Sequence, residues 1–188
     1  MDKKFKEIWL LAKPYLKKGK MKDFVLHTKG VIQAMEYLLE NEQADPDILI
    51  PAAMLHDVGW ARVDKRLQKS KKDEDRHEAL VQHLKMAPPI ISNILKEVDY
   101  KLDDINQVID IVVSHKFQDP TELDKRLLID ADAVADAFPE QFKSDIKSYR
   151  VTPEQLYNFR RKNDFYTKTA RDIFVQELDA RKKEYQIE

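Results

Sequence analysis

Apolar residues recur along most of this chain every three or four positions, the spacing of an amphipathic helix, and the strict alternation typical of a β-strand is hard to find. In the second predicted helix, for example, Phe24, Val31 and Met35 share one face. The pattern predicts helices over residues 3–17, 23–41, 46–59, 73–86, 90–98, 104–116, 122–138, 140–149 and 153–183. The predicted fold class is therefore all-α, a bundle of about eight helices in a single domain over residues 1–188.

Local residues mark some of these boundaries. Asp45 followed by Pro46 is typical of a helix N-cap and the first helical position. Proline inside a helix removes a backbone hydrogen bond, so we expect an interruption or kink at Pro14 and a kink or a late start near Pro51. The charged stretch 65–75 is predicted to be a solvated loop or a frayed helix.

The last predicted helix is the longest. Thr152 and Pro153 indicate its start, and residues 153–183 its extent. Packing of its apolar face against the rest of the domain is favoured, and a homodimer seam along this helix is the alternative. The apolar positions are Leu156, Phe159, Tyr166, Ala170, Ile173 and Phe174.

Composition excludes several classes of protein. The 33 Lys and Arg residues nearly balance the 34 Asp and Glu residues, so there is no strong case for nucleic-acid binding. The absence of cysteine excludes disulfides, cysteine–zinc sites and thiol nucleophiles, so any metal must be held by nitrogen and oxygen. With only three glycines, neither of the common glycine-rich phosphate-binding motifs can be built.

The chain also lacks the long apolar segments of membrane proteins. Its longest apolar stretch, 48–55, is interrupted by Pro51 and is far shorter than the roughly 20 residues of a spanning helix. The basic start is followed by an apolar run over 8–12 only, whereas a signal peptide needs about 7–15 such residues. We therefore expect a cytoplasmic protein that does not contact a membrane.

Three of the five histidines are predicted to point into the core. At about 100° of rotation per residue, His27 falls on the apolar stripe of its helix, and His115 falls between Val108 and Ile111. His77 lies near the middle of the apolar stripe of its own helix. That stripe is formed by Leu80, Val81, Leu84 and Ala87. Histidines on three different helices are thus predicted to meet.

A fourth histidine, His56, is followed by Asp57 at the end of an apolar helix. His83 is about 240° around its helix from His77, so the two should not face one site, and His83 is left out. Burying several imidazoles and carboxylates without partners costs about 1–3 kcal/mol each, and a shared cation removes that cost. The sequence therefore predicts a metal site.

Two aspartates late in the chain could complete this site. Asp130 and Asp132 are about 200° apart on their predicted helix, so only one should reach the metal. Helical projection slightly favours Asp130, which flanks Leu123 and Leu127, but it does not decide between the two.

This order of residues resembles the HD-domain superfamily, a group of helical, metal-dependent proteins named after an adjacent His-Asp pair. The resemblance covers about 24–138: His27 comes first, then His56 and Asp57 in the segment LHDVG, and later Asp132 after an alanine. In that family the last aspartate usually follows a small residue. The resemblance thus implies Asp132, with Asp130 as the alternative.

The resemblance also implies what the site binds and does. His77 and His115 are similar to the two extra ligands of members that bind two metals. The implied arrangement has one metal on His27, His56 and Asp132, a second on His77 and His115, and Asp57 bridging them as the catalytic residue. Imidazole and carboxylate suit one or two Mn, Fe, Co, Ni or Zn ions. Such a site would hydrolyse a nucleotide or another small phosphoester with metal-activated water.

Four cations close to the implied ligands are candidates for binding the phosphate group: Arg62, Lys65, Arg66 and Lys116. Trp60 stands where alarmone and deoxynucleotide hydrolases of the superfamily often carry an acidic residue, and where cyclic-dinucleotide phosphodiesterases carry lysine. The resemblance therefore implies neither of those substrates.

Two other functions are consistent with the resemblance. Some members with a similar set of six ligands are di-iron oxygenases. A non-catalytic regulatory module that binds a metal or another ligand is the third alternative.

Overall fold

The computed structural model describes residues 3–19 and 24–188. Within these residues there are ten α-helices, one short 3₁₀ helix and no β-strand, which confirms the all-α fold class. The predicted start of the second helix at Asp23 lies outside the described residues. The helices are α1 (Lys3–Leu16), α2 (Phe24–Leu39), α3 (Pro46–Leu55), the 3₁₀ helix (Val58–Arg62), α4 (Lys65–Lys69), α5 (Asp73–Glu97), α6 (Leu102–Ser114), α7 (Leu123–Ala135), α8 (Pro139–Tyr149), α9 (Pro153–Arg160) and α10 (Lys168–Glu184).

Helix α3 lies at the centre of the main hydrophobic core. Every residue from Ile48 to Leu55 is buried, and the helix packs against α1, α2, α6 and α7. The Asp45 carboxylate accepts a hydrogen bond from the backbone N–H of Asp47, as the predicted cap requires. The helix begins at Pro46, so the late start near Pro51 was wrong. It also ends at Leu55 rather than at the predicted 59. The residues that follow it, 56–60, are all buried.

Helix α5 is a single helix of 25 residues, where two helices were predicted. It runs through Pro88 and Pro89, whose missing N–H groups cost backbone hydrogen bonds. The residues on both sides of this pair, Ala87, Ile90 and Ile91, are fully buried. Continuous burial along this face accounts for a helix that local propensity alone would have ended.

The predicted last helix is in fact two helices, α9 and α10, separated by residues 161–167. Thr152 caps α9 as predicted, and Leu156 is buried. Thr167 caps α10 by accepting a hydrogen bond from the backbone N–H of Ala170. The single helix over 153–183 was therefore wrong, because a second cap inside that range starts a new helix.

The charged stretch after the 3₁₀ helix includes one short helix, α4, which begins at Lys65. The carboxylate of the preceding residue, Asp64, caps this helix by accepting a hydrogen bond from the Arg66 backbone N–H. A second, smaller hydrophobic cluster lies beneath it, formed by Trp60, Val63, Leu67 and Ala79. None of the described helices is both long enough and apolar enough to cross a lipid bilayer.

Candidate metal centre

His56 and Asp57 follow the last residue of α3, and both are buried. His56 Nδ1 lies 2.8 Å from the carbonyl oxygen of Ala53. Because a carbonyl oxygen only accepts, Nδ1 must donate, and in the neutral ring Nε2 then carries a lone pair. Nε2 is buried without a hydrogen-bond partner among the described residues, 3.3 Å from Asp57 Oδ2. A lone pair and a carboxylate oxygen repel each other at this distance unless a proton or a metal ion lies between them.

His115 repeats this arrangement at the end of α6. Its Nδ1 donates to the carbonyl oxygen of Val112, three residues earlier, and the described residues offer no hydrogen-bond partner to its buried Nε2. Burial, together with the charge of Lys116, holds the pKa of His115 well below its usual range. The ring is therefore neutral, with the lone pair on Nε2 available to a ligand.

His83, on the buried face of α5, is the third deep imidazole. Neither of its ring nitrogens has a hydrogen-bond partner among the described residues, and Nε2 lies 3.6 Å from Asp57 Oδ1. Burial lowers the pKa of His83 to about 4. This histidine, which sequence reasoning left out, is thus neutral and faces the carboxylate of the His-Asp pair.

His27, on α2, and Asp132, on α7, complete the cluster of side chains that includes His56, Asp57, His83 and His115. His27 Nε2 lies 2.9 Å from Asp132 Oδ1. Burial alone would lower the pKa of His27, but the hydrogen bond and charge of Asp132, with the charges of Asp57 and Asp136, raise it to about 9. Burial would likewise raise the pKa of Asp132, but Lys116 and His27 hold it well below its usual range. In the absence of a metal these two groups form a partly buried ion pair.

Asp57 faces both halves of the cluster. Its Oδ2 lies 3.3 Å from His56 Nε2 and 3.9 Å from His27 Nε2, whereas its Oδ1 faces His83. Burial would raise the pKa of Asp57, but the neighbouring histidines hold it well below its usual range, so it is a carboxylate. Two groups of three have ligand atoms within 4.8 Å of one another: His27, His56 and Asp57 in one, and Asp57, His83 and His115 in the other.

These residues fit a divalent metal ion. The unpartnered Nε2 atoms of His56, His83 and His115 converge on one carboxylate, and leaving each buried nitrogen without a partner costs about 1–3 kcal/mol. Neutral imidazoles and carboxylates are the donor set that Mn, Fe, Co, Ni and Zn prefer, whereas Mg usually takes oxygen ligands alone.

The prediction that His77 faces the core was wrong. His77 is exposed, and its ring contacts Phe117 rather than the cluster. The buried face of this part of α5 is formed by Ala79, His83 and Ala87, spaced four residues apart. The larger apolar residues used to place the stripe include Val81, which is 45% exposed. The signal available in the sequence was the regular spacing of the small residues Ala79 and Ala87 on either side of His83. A projection based on hydrophobicity alone gives small residues little weight and so placed the buried face wrongly.

Asp130 and Asp132 have separate roles in the structure. Asp132 Oδ1 lies within 3.9 Å of His56 Nε2 as well as against His27. Asp130 instead accepts hydrogen bonds from the backbone N–H groups of Tyr166 and Thr167 and from the Thr167 hydroxyl. The structure therefore brings the aspartate that the resemblance implied into the cluster and uses the alternative to anchor the start of α10.

Of the four candidate phosphate-binding cations, the structure brings one to the cluster. Lys116 Nζ lies 2.5 Å from Asp132 Oδ2, and its side chain is 26% exposed. Arg62, Lys65 and Arg66 are exposed, and within the described residues none of them forms an ion pair with the carboxylates of the cluster.

Comparisons with known proteins identify the family and the fold of the chain. The model of the HD domain family matches residues 24–137, more than half of the chain. Among curated proteins, none matches the chain. A crystal structure of a protein described as a predicted HD superfamily hydrolase, from an uncultured Thermotogales bacterium, is similar in fold, with a TM-score of 0.63 and 24% sequence identity over 96% of this chain and 88% of that one. By the match over residues 24–137, the chain belongs to the HD domain family.

Proposed function

We propose that this protein is a metal-dependent phosphohydrolase that cleaves a small phosphoester, such as a nucleotide, with two divalent transition-metal ions. The placement of Asp57 carries this proposal, because its two carboxylate oxygens face different groups of histidines. Two metal ions about 3.5–4 Å apart form a recurring site for hydrolysis of phosphoesters. The protein of similar fold is described as a predicted HD superfamily hydrolase, and that description is consistent with this class of reaction.

The ligand set differs at one position from the one that the sequence resemblance implied. His83 takes the place of His77, since it is the buried histidine of α5. In this proposal Asp57 would be a ligand shared by both ions. His27, His56 and Asp132 would hold the first ion, and His83 and His115 would hold the second.

When bound, such ions lower the pKa of water and offset the negative charge that develops on the phosphoryl group. The protein's part is to hold the ligands in place. The Nδ1–H groups of His56 and His115 each donate to a backbone carbonyl, which fixes the ring and aims Nε2 at the cluster. Asp57 keeps its charge in a buried position, so it can hold two cations without first losing a proton.

Lys116 is the residue that we propose for contact with the substrate phosphate. Its ammonium lies on Oδ2 of Asp132, while Oδ1 faces His27, so the two oxygens of one carboxylate have different partners. Because the Lys116 side chain is partly exposed, the ammonium can reach a phosphoryl oxygen that enters from solvent. Arg62, Lys65 and Arg66 lie on the surface segment after the His-Asp pair, and their contact with phosphate stays a prediction.

A matched pair of histidine variants tests the proposal. Protein purified without chelator should contain two metal ions per chain by elemental analysis. The variant His83→Ala should contain about one, because it loses a buried ligand of the second ion. The variant His77→Ala, six residues earlier on the same helix, should keep both. Equal metal contents in the two variants would contradict the assignment of His83.

Activity separates the proposed reaction from the other two alternatives. With added Mn, the wild-type protein should hydrolyse p-nitrophenyl phosphate, and chelation should abolish this activity. The variant Asp57→Ala should be inactive with a reduced metal content. Turnover that consumes oxygen and requires stoichiometric iron would instead indicate an oxygenase. A fully metal-loaded protein without either activity would indicate a binding module.

A further inference from the structure

His83 is held differently from the other two deep histidines of the centre. The rings of His56 and His115 are each fixed by a hydrogen bond from Nδ1 to the carbonyl oxygen three residues earlier. His83 has no hydrogen bond on either ring nitrogen within the described residues. Since the second torsion of a histidine side chain is broad, such a ring can turn unless packing restrains it. Something other than a hydrogen bond must therefore set its plane.

The indole ring of Trp60 lies flat against this imidazole. The ring centroids of Trp60 and His83 are 4.9 Å apart and the ring planes differ by 12°. The ring of His115 also contacts this imidazole, with a centroid distance of 5.6 Å and an interplanar angle of 87°. The imidazole thus packs against one parallel aromatic face and one perpendicular ring.

Trp60 is itself held in a fixed position. It is 7% exposed and stacks on Phe24, with centroids 5.9 Å apart and planes 15° apart. The preceding residue, Gly59, brings the 3₁₀ helix directly onto α5, because a Cβ at Gly59 would lie 2.1 Å from the carbonyl oxygen of His83. The close contact of the two backbones allows the indole to reach the imidazole.

We propose that Trp60 is a positioning residue for the metal centre: its indole face sets the plane of the His83 imidazole, so that Nε2 points at Oδ1 of Asp57. This inference rests on the proposed function, in which His83 is a ligand. In this role Trp60 would act through His83 rather than directly on the substrate. It replaces, by stacking, the hydrogen bond that His56 and His115 make to the backbone.

Substitution of Trp60 by leucine and by phenylalanine tests the stacking. Loss of a residue that orients a metal ligand commonly weakens metal affinity about 10- to 100-fold. In equilibrium dialysis against Zn²⁺, Trp60→Leu should bind the second ion at least about tenfold more weakly than wild type. Trp60→Phe, which keeps a flat ring, should stay close to wild type. Equal weakening by both substitutions would overturn the role of the ring face.

The other tryptophan supplies a matched control. Trp9, on α1, packs against the main hydrophobic core rather than the smaller cluster that contains Trp60, and Trp9→Leu removes a similar aromatic volume. This variant should keep both ions, and a comparable loss of metal from it would overturn the inference by showing a general effect of aromatic truncation. If Trp60→Leu does not fold, as judged by circular dichroism, Trp60→Met takes its place, because methionine fills space without a flat ring.

A double variant separates failure of this inference from failure of the proposed function. If Trp60 acts through His83, then adding Trp60→Leu to His83→Ala should cause no further loss of metal. An additional loss in the double variant would overturn the inference. If His83→Ala alone leaves two ions per chain, the ligand assignment fails instead. If His83→Ala loses an ion and Trp60→Leu does not, the ligand assignment stands and the positioning role is refuted.

Discussion

Raising the pH of the metal-free protein from about 7 to about 9.5 should remove about 2–3 kcal/mol of stability through one residue, His27. Its ring nitrogen lies 2.9 Å from Asp132 Oδ1 in a largely buried position. The negative charges of Asp132 and Asp57 favour the protonated imidazole and outweigh the effect of burial. The folded protein therefore binds a proton on His27 at a pH where the unfolded chain does not.

The magnitude follows from the pKa difference. The pKa of His27 is raised from 6.5 to about 9 on folding. Each pKa unit is worth about 1.4 kcal/mol, so the protonated pair contributes about 3 kcal/mol. Because the folded-state pKa is the higher one, this stabilisation is fully present below pH 6.5 and is lost as the pH rises through about 9. His83, with a pKa near 4, is neutral throughout the window from 7 to 9.5 and does not change the result.

Urea unfolding in the presence of a chelator, followed by helical circular dichroism at several pH values between 7 and 9.5, measures this loss. The control is His27→Gln, whose amide can still donate to Asp132 but does not titrate. Its free energy of unfolding should be nearly constant over the same window. A decline of equal size in wild type and variant would refute the assignment of the titration to His27.

The same proton should oppose metal binding. As a proposed ligand, His27 would have to be a neutral imidazole when the metal is bound, so below a pKa of about 9 binding would release its proton. The apparent metal affinity of the wild type should thus rise about tenfold per pH unit between 7 and 9 from this residue alone. Calorimetry in buffers of different ionisation enthalpy counts the released proton, and a count unchanged in His27→Gln would contradict the linkage.

Three further substitutions have effects that the structure predicts. Gly59→Ala should lower the free energy of unfolding in urea by about 3 kcal/mol or more, because the added Cβ would meet the backbone of α5. Gly30→Ala is the control and should lower it less, because the nearest atom to its added Cβ is a side-chain carbon at 3.2 Å. Asp130→Ala should lower the free energy of unfolding by about 1–3 kcal/mol, because it removes the hydrogen bonds that anchor the start of α10. Its metal content in elemental analysis should be unchanged, and a loss of metal would contradict the separation of Asp130 from the metal centre. Lys116→Met should raise KM for p-nitrophenyl phosphate about tenfold without loss of metal, and an unchanged KM would exclude the proposed phosphate contact.

The helices that could be predicted from the chain are those in which local pattern and burial agree. The cap at Asp45 and the apolar run after it predict α3 correctly at its start, because both act within one turn of helix. The break predicted between 86 and 90 is absent, since packing on both sides of Pro88 outweighs local propensity. The start of α10 depends in part on Asp130, 36 residues before Tyr166, which no local pattern reveals.

The sequence by itself determined which residues are candidates for a metal centre: an adjacent His-Asp pair at the end of an apolar helix, a histidine before it and a late aspartate, in a chain without cysteine. Only the tertiary structure decided which histidine of α5 joins them. Helical periodicity relates His77 and His83 to each other, but it does not say which side of the helix a neighbour covers. Here the covering neighbour is the 3₁₀ helix with Gly59, which packs against the backbone at His83. Close packing of two backbones favours small residues such as Ala79 and Ala87, and a scale of hydrophobicity ranks those below the larger residues on the exposed side.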